Sequence, residues 1–197
     1  MFAIRSVFRA GARAAVPLRT FATSSSRFGN TLLFVEHKNG AINPASLSAL
    51  TAAQKLGGEI HALVAGSSKH AKSVAEAASK VNGVSKVLVS TSDAFSALLS
   101  EPIAPLIQSL VKSNSYSHVV AGHTAVGRDI IPRAAVLLDS SLVSDIIAVE
   151  GEDTFVRPIY AGNALATVKS KDGVKVVTVR GTAFDAASTE GGSASVE

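Results

Sequence analysis

The residues best placed to do chemistry form a loop between an apolar run and an amphipathic segment, VVAGHTAVGRDIIPRAAVLL (119–138). Gly122 and Gly127 have the G-x-x-x-x-G spacing of a phosphate-binding loop, in which N–H groups at the start of a helix bind the phosphate. A Walker loop continues with Lys and then Ser or Thr, whereas this chain continues with Arg128 and Asp129. The loop therefore matches only half of that motif.

Pro132 bears on the same loop, because proline fits in the first turn of a helix better than further in. The sequence therefore predicts a helix that begins near Asp129. A carboxylate at that position would cap the helix itself and repel a phosphate. A structural turn between strand and helix is the favoured interpretation, and a nucleotide lying across the glycines of 122–127 is the alternative.

Other reactive residue types do not form a recognisable site. The chain has no cysteine, which excludes disulfides, thiolate catalysis and cysteine-ligated zinc. The histidines do not have the spacing of a zinc-binding pair; they are His37, His61, His70, His118 and His123. Three acidic residues fall in a predicted turn, where solvated carboxylates are the favoured interpretation: Glu150, Glu152 and Asp153. The sequence thus indicates no catalytic residue and no metal site.

Two arginines are unusual, because Arg157 and Arg180 are each flanked by apolar residues of strand-like runs. Their side chains would either extend past a sheet edge into water or form ion pairs across an interface. Tyr160 lies in the same run as Arg157, and its type also suits the core of an interface. We predict a partner interface that includes Arg157, Tyr160, Asn163 and Arg180.

The elements that must position these residues alternate along the first two thirds of the chain. Continuous apolar runs predict strands at 31–36, 59–66, 86–90 and 118–122. Amphipathic segments between and after these runs predict helices at 44–56, 68–81, 103–111 and 129–138. This alternation predicts an α/β fold, in which a parallel sheet carries helices on both faces.

The pattern changes after residue 143. Four strand-like runs follow, separated by turn residues: LVSDIIAVE, TFVRPIYAG, ALATVKS and VKVVTVRGTAF. Short strands joined by such turns predict a C-terminal antiparallel meander. Its outer edge would need cover, which another chain could provide. The last residues, 188–197, are small and polar, and they predict a linker or a disordered end.

The excess of basic residues lies at the start of the chain. The net charge is +4, and residues 1–21 contain four arginines and no acidic residue. The remainder is therefore neutral, which argues against a nucleic-acid-binding surface. An arginine-rich, acid-free, amphipathic start predicts a mitochondrial transit peptide over 1–21. No apolar run in the sequence is long enough to span a bilayer.

The segment DTFVRPIYAGNALATVKSKDGVKVVTVRGTAFDAA (153–187) closely resembles the alpha subunit of electron transfer flavoproteins. Four earlier regions fit the same pattern in order: 31–66, 83–90, 121–135 and 144–149. On this resemblance, residues 30–187 are the N-terminal α/β domain of such a subunit. The resemblance implies a Rossmann-like fold of the adenine-nucleotide alpha-hydrolase type, with a small antiparallel sheet added.

The resemblance also implies a function. The family is a heterodimeric FAD-containing electron carrier, not an enzyme with its own substrate. It accepts electrons from acyl-CoA-type dehydrogenases of the mitochondrial matrix and passes them to a membrane ubiquinone oxidoreductase. The N-terminal domain of the alpha subunit docks with the beta subunit.

Cofactor expectations follow from the same resemblance. Most FAD contacts in the family come from a second domain beyond the linker, so we expect no FAD-binding residue in this chain. In the family the beta subunit holds AMP, and Asp129 argues that this copy of the fold does not. A free-standing nucleotide-binding module of the universal-stress type, using the 122–127 loop, is the alternative function.

Overall fold

Residues 29–197 are described by the computed structural model of the chain, so the predicted transit peptide lies outside the described residues. In chain order the elements are β1 (Thr31–Phe34), β2 (His37–Lys38), β3 (Ala41–Ile42), α1 (Pro44–Gln54), β4 (Ile60–Gly66), α2 (Ser68–Ser79), β5 (Lys86–Thr91), α3 (Ser100–Asn114), β6 (His118–Gly122), α4 (Ala125–Leu137), β7 (Leu142–Ile146), β8 (Ala148–Val149), β9 (Thr154–Ile159), β10 (Ala164–Lys169), β11 (Lys175–Val179) and β12 (Ser195–Val196). None of the helices in this part of the chain is both long and apolar enough to cross a membrane.

A seven-stranded parallel sheet organises the fold, with the strand order β12-β5-β4-β1-β6-β11-β7. Every residue of β1 and β6 is buried, as expected of strands covered on both faces. Helices α1 and α2 pack on one face, where Leu50 and Val74 meet Leu33. Helices α3 and α4 pack on the other, where Ile103 and Ile130 meet Leu32. The predicted α/β fold is confirmed.

A second, antiparallel sheet is also confirmed, but it is shorter than the predicted meander. Its order is β10-β9-β8. The last of the four predicted runs, β11, belongs instead to the parallel sheet, and the first run is divided between β7 of the parallel sheet and β8 of the antiparallel sheet. Burial explains the division. Four consecutive residues of β11 are buried, whereas β10 alternates between half-buried and exposed residues, as a strand with one open face does.

Helix α4 begins four residues before the predicted start at Asp129. Thr124 is its N-cap, and Pro132 lies inside the helix rather than in its first turn. The buried side chains of Ile130 and Ile131 and the methyl group of Ala134 pack against the sheet. Packing of this kind stabilises the helix more than one proline destabilises it, so the prediction based on Pro132 is wrong.

The end of the chain lies against the edge of the sheet. Val89 donates its backbone N–H to the Glu197 carbonyl at 2.7 Å, and Lys86 pairs with the Glu197 carboxylate at 2.9 Å. Gly192 donates to the Lys80 carbonyl at 2.8 Å. These residues run along β5 and α2, and the assignment of 188–197 as a linker or a disordered end stays a prediction.

Candidate functional site

The glycines of the 122–127 loop serve close packing. Gly122 ends β6, and Gly127 is buried in the first turn of α4. A Cβ atom at Gly127 would lie well inside 3.0 Å of the Gly122 carbonyl oxygen, and one at Gly122 would lie 3.0 Å from the Cβ of Ala45. Only glycine lets the helix start this close to the strand. The loop is thus a tight strand-to-helix turn.

A carboxylate of the chain itself occupies the start of α4. The Thr124 hydroxyl accepts the Gly127 N–H at 3.0 Å and donates to Glu36 Oε2. Glu36 Oε1 accepts from Asn43 Nδ2 at 2.8 Å, and Asn43 is the N-cap of α1. Glu36 therefore lies between the positive ends of two helices, where a bound anion would otherwise be stabilised.

Nucleotide phosphates do not fit this position, because they would meet the Glu36 carboxylate. The position is the switch point of the sheet, where β1 and β6 are neighbours and ligands of open α/β folds usually bind. Glu36 also borders a cleft of about 620 Å³, which Lys38, His70 and Ser96 help to line. A phosphate group placed here would face the Glu36 carboxylate.

The carboxylate at the start of α4 is thus that of Glu36 and not that of Asp129, and the expectation that this copy of the fold holds no AMP stays a prediction. Asp129 lies in the second turn of α4 and is exposed, so it does not cap the helix. Sequence analysis missed Glu36, although an acidic residue directly after the first buried strand was a usable signal. The sequence could not pair it with Thr124, which is 88 residues away.

The histidines of the sheet have structural partners. His61 Nδ1 and the Tyr116 hydroxyl are 2.6 Å apart. His118 lies 2.7 Å from the Ser117 hydroxyl and 2.6 Å from the Glu152 carbonyl, and burial is the main reason that its pKa is lowered. Residues 29–197 contain no group of three potential metal ligands.

The arginines predicted to form the interface act on one carboxylate, because Arg180 lies at the carboxyl end of β11 and Arg157 lies on β9, and both lower the pKa of Asp145 in β7. Arg180 follows β11 and donates twice to Asp145 of β7, from Nε at 3.0 Å and from a terminal nitrogen. This pair is intramolecular and leaves the Arg180 side chain 40% exposed to water, and contact of Arg180 with a partner stays a prediction. The hydrogen bond from Arg180 is the main reason that the pKa of Asp145 is lowered.

His123 and two more arginines surround this pair. His123 Nδ1 lies 3.0 Å from the Thr178 hydroxyl, and burial, with the charges of Arg128, Arg157 and Arg180, lowers its pKa against the opposing effect of Asp145. We call His123, Arg128, Asp145, Arg157 and Arg180 the arginine cluster. A cleft of about 300 Å³ opens beside it, lined in part by His123 and Arg128.

The antiparallel sheet of β8, β9 and β10, which we call the arm, presents the remaining interface candidates. Tyr160 and Asn163 are exposed at the turn between β9 and β10, and Leu165 is exposed on β10; Tyr160 is 79% and Leu165 64% exposed. The backbone φ angles of Tyr160 and Ala161 are 50° and 54°, values that residues other than glycine rarely adopt. The turn thus holds a large aromatic side chain in water.

Comparison with known proteins decides the family. The model of the electron transfer flavoprotein domain matches residues 31–197. The chain belongs to the electron transfer flavoprotein family. It is 51% identical over 179 residues to a probable mitochondrial electron transfer flavoprotein subunit alpha of Cryptococcus neoformans, covering 89% of this chain and 52% of that protein.

Two further relatives in the electron transfer flavoprotein family carry similar names. The electron transfer flavoprotein subunit alpha of Pseudomonas aeruginosa is 53% identical over 166 residues, covering 84% of this chain and 52% of its own length. The probable mitochondrial subunit alpha of Caenorhabditis elegans is 43% identical over 175 residues, covering 89% and 52%. The chain spans about half the length of the curated relatives it matches.

The four interface candidates occupy two connected places in this electron transfer flavoprotein chain. Arg157, Tyr160 and Asn163 lie on the arm, and Arg180 lies in the arginine cluster, which Arg157 joins from the base of the arm. Arg128 and His123 were not among the candidates. The predicted family membership is confirmed, whereas contact of these residues with a partner stays a prediction.

Proposed function

We propose that this chain is a docking domain of the alpha subunit of a heterodimeric electron carrier. The observation that carries the proposal is the 51–53% identity to electron transfer flavoprotein alpha subunits of a fungus and a bacterium over 84–89% of the chain. In this role the chain binds a beta subunit. The heterodimer accepts electrons from acyl-CoA-type dehydrogenases and passes them to a membrane ubiquinone oxidoreductase, as a carrier rather than a catalyst.

The geometry of the chain supports docking more than nucleotide binding. The 122–127 loop is closed by the contact between Gly122 and Gly127, and Glu36 occupies the start of α4. The arm, in contrast, presents Tyr160 and Leu165 to water. Exposed aromatic and aliphatic side chains beside arginines are the composition of an interface core.

We place the flavin of the heterodimer, which we take to be FAD, away from the start of α4, because a pyrophosphate there would face Glu36. The same argument applies to AMP, which we assign to the beta subunit. When bound elsewhere in the heterodimer, the flavin supplies the redox chemistry. The contribution of residues 29–197 is then to hold the partner in place.

We further propose that the protein works in the mitochondrial matrix. The relatives of Cryptococcus neoformans and Caenorhabditis elegans are named mitochondrial, and residues 1–21 combine four arginines with no acidic residue. N-terminal sequencing of the protein from isolated mitochondria should begin near residue 22. A protein that still begins at Met1 in the matrix fraction would contradict the transit peptide.

Co-expression with the beta subunit of the same organism tests the docking function. We expect a 1:1 complex by size-exclusion chromatography with light scattering. Beta subunit that elutes alone at micromolar concentrations of both chains would refute it. Calorimetric titration of the chain alone with AMP and ATP tests the alternative, since micromolar binding would favour a universal-stress-like nucleotide module.

A further inference from the structure

One buried polar atom in the arginine cluster has no partner in the described part of the chain. Arg157 Nε is buried, and no described residue accepts a hydrogen bond from it. Leaving such a charged donor unpaired is costly, because a buried group that gives up water needs a replacement hydrogen bond. We take this unpaired N–H as the place where an acceptor outside the described residues binds.

The charge of the cluster indicates the sign of that acceptor. Arg180 already holds the Asp145 carboxylate in a bidentate pair, and Arg157 and Arg128 are the other two guanidinium groups of the cluster. Neither Arg128 nor Arg157 forms an ion pair within 4.0 Å of its nitrogens among residues 29–197. Two positive charges thus remain, which favours an anion at this place.

The surroundings of the cluster indicate what carries the anion. The adjoining cleft of about 300 Å³ has room for a side chain. Arg157 lies on β9 of the arm, shortly before Tyr160, whose side chain is 79% exposed, and a small free anion would leave that aromatic ring in water. A protein surface with an acidic side chain would cover Tyr160 and neutralise the arginines together.

We propose that the arginine cluster binds a carboxylate side chain of the beta subunit, with Arg157 and Arg128 as its donors and the arm as the apolar part of the same interface. The inference rests on the proposed docking function and adds to it the residues and the chemistry of recognition. Arg180 and Asp145 act as positioning residues, because their pair joins the end of β11 to β7.

The test is the dissociation constant of the complex with the beta subunit, measured by calorimetry at several NaCl concentrations. Arg157→Gln removes both the charge and the Nε donor, and Arg157→Lys keeps the charge alone. Arg128→Gln removes the exposed arginine. Lys112→Gln is the matched control, because it removes one charge at the exposed C-terminal end of α3, which leads into the start of β6, whereas His123 of the cluster follows the end of β6.

We expect Arg157→Gln to weaken binding roughly 10- to 100-fold, as loss of one partner of a buried charged pair does. Arg128→Gln should weaken it less, Arg157→Lys should restore part of the loss, and Lys112→Gln should stay within about twofold of the parent chain, as surface changes away from an interface do. The dependence of the dissociation constant on salt should become shallower in both glutamine variants and not in the control. Far-UV circular dichroism checks that each variant folds.

The same binding measurements distinguish failure of the docking function from failure of the inference about the arginine cluster. If the parent chain does not bind the beta subunit at all, the docking function fails. If the parent binds and both glutamine variants bind equally well with the same salt dependence, only the inference about the cluster is overturned. A third result would also overturn the inference about the cluster. If the parent binds citrate, the glutamine variants do not, and all of them bind the beta subunit with the same dissociation constant, then the cluster binds a small anion.

Discussion

Replacing Gly127 with alanine tests whether the 122–127 loop is a packing device. Alanine in place of glycine inside a helix ordinarily stabilises a protein by about 0.5–1 kcal/mol. Here the new Cβ would lie well inside 3.0 Å of the Gly122 carbonyl oxygen, and ordinary contact begins at 3.4 Å. The oxygen belongs to the main chain and the position of a Cβ is fixed by its own main chain, so no side-chain rotation relieves the clash. The first turn of α4 must move away from β6.

We therefore expect Gly127→Ala to lower the free energy of unfolding by about 1–3 kcal/mol, which is the usual effect of overpacking. The Thr124–Glu36 hydrogen bond would be disturbed as well, because Thr124 caps the same turn. Urea denaturation followed by circular dichroism measures the change. Gly173→Ala is the matched control, since nothing lies within 4 Å of its Cβ position and its φ is not positive. A Gly127→Ala variant as stable as the parent would refute the packing argument and reopen the loop as a ligand site.

Three further predictions concern charged groups. Asp145→Asn should destabilise the chain by about 1–2 kcal/mol at pH 7, as the loss of a charge-assisted pair does. Arg180 lowers the pKa of Asp145 below 3.8, so that stability is present at neutral pH and is lost as the pH falls below about 4. The urea midpoints of the parent and the variant should therefore differ at pH 7 and approach each other at pH 3. His118 has a pKa lowered below 6.5, so the unfolded chain takes up its proton first and stability falls as the pH drops below 6.5; His118→Gln should make the thermal midpoint fall less steeply between pH 7 and pH 5. Glu36→Gln keeps the shape of the side chain but removes the charge between two helix starts, and urea midpoints should show a loss of about 0.5–2 kcal/mol.

Much of the fold could be predicted because its strands are locally distinctive. The run from Thr31 to Phe34 and the run from His118 to Gly122 are buried on both faces, and continuous apolar sequence is the signature of that environment. The run from Lys175 to Val179 has the same signature, but short turns on either side led to the wrong assignment to the meander. Turn residues on both sides of a run show where its strand ends but not whether the strand is buried on both faces.

The candidate site was harder to predict, because its contacts join distant parts of the chain. Glu36 meets Thr124 across 88 residues, and Asp145 meets Arg180 across 35. Arg157 could be recognised as unusual from its apolar neighbours, but only packing shows that its Nε is buried without a partner. Sequence patterns predict which strands form, whereas side-chain pairs between strand ends depend on the strand order.

Hydrogen exchange of the chain with and without the beta subunit tests the docking account most directly. Amides of β9 and β10 in the arm, residues 154–169, and of the turn at 123–128 should exchange more slowly in the complex. The reason is that a partner bound to the arm and the arginine cluster excludes water from both places. The opposite edge of the sheet, at β12 and α2, should exchange at the same rate in both states. Protection at β12 and α2 with an unchanged arm would contradict the account, since the partner would then bind the other edge.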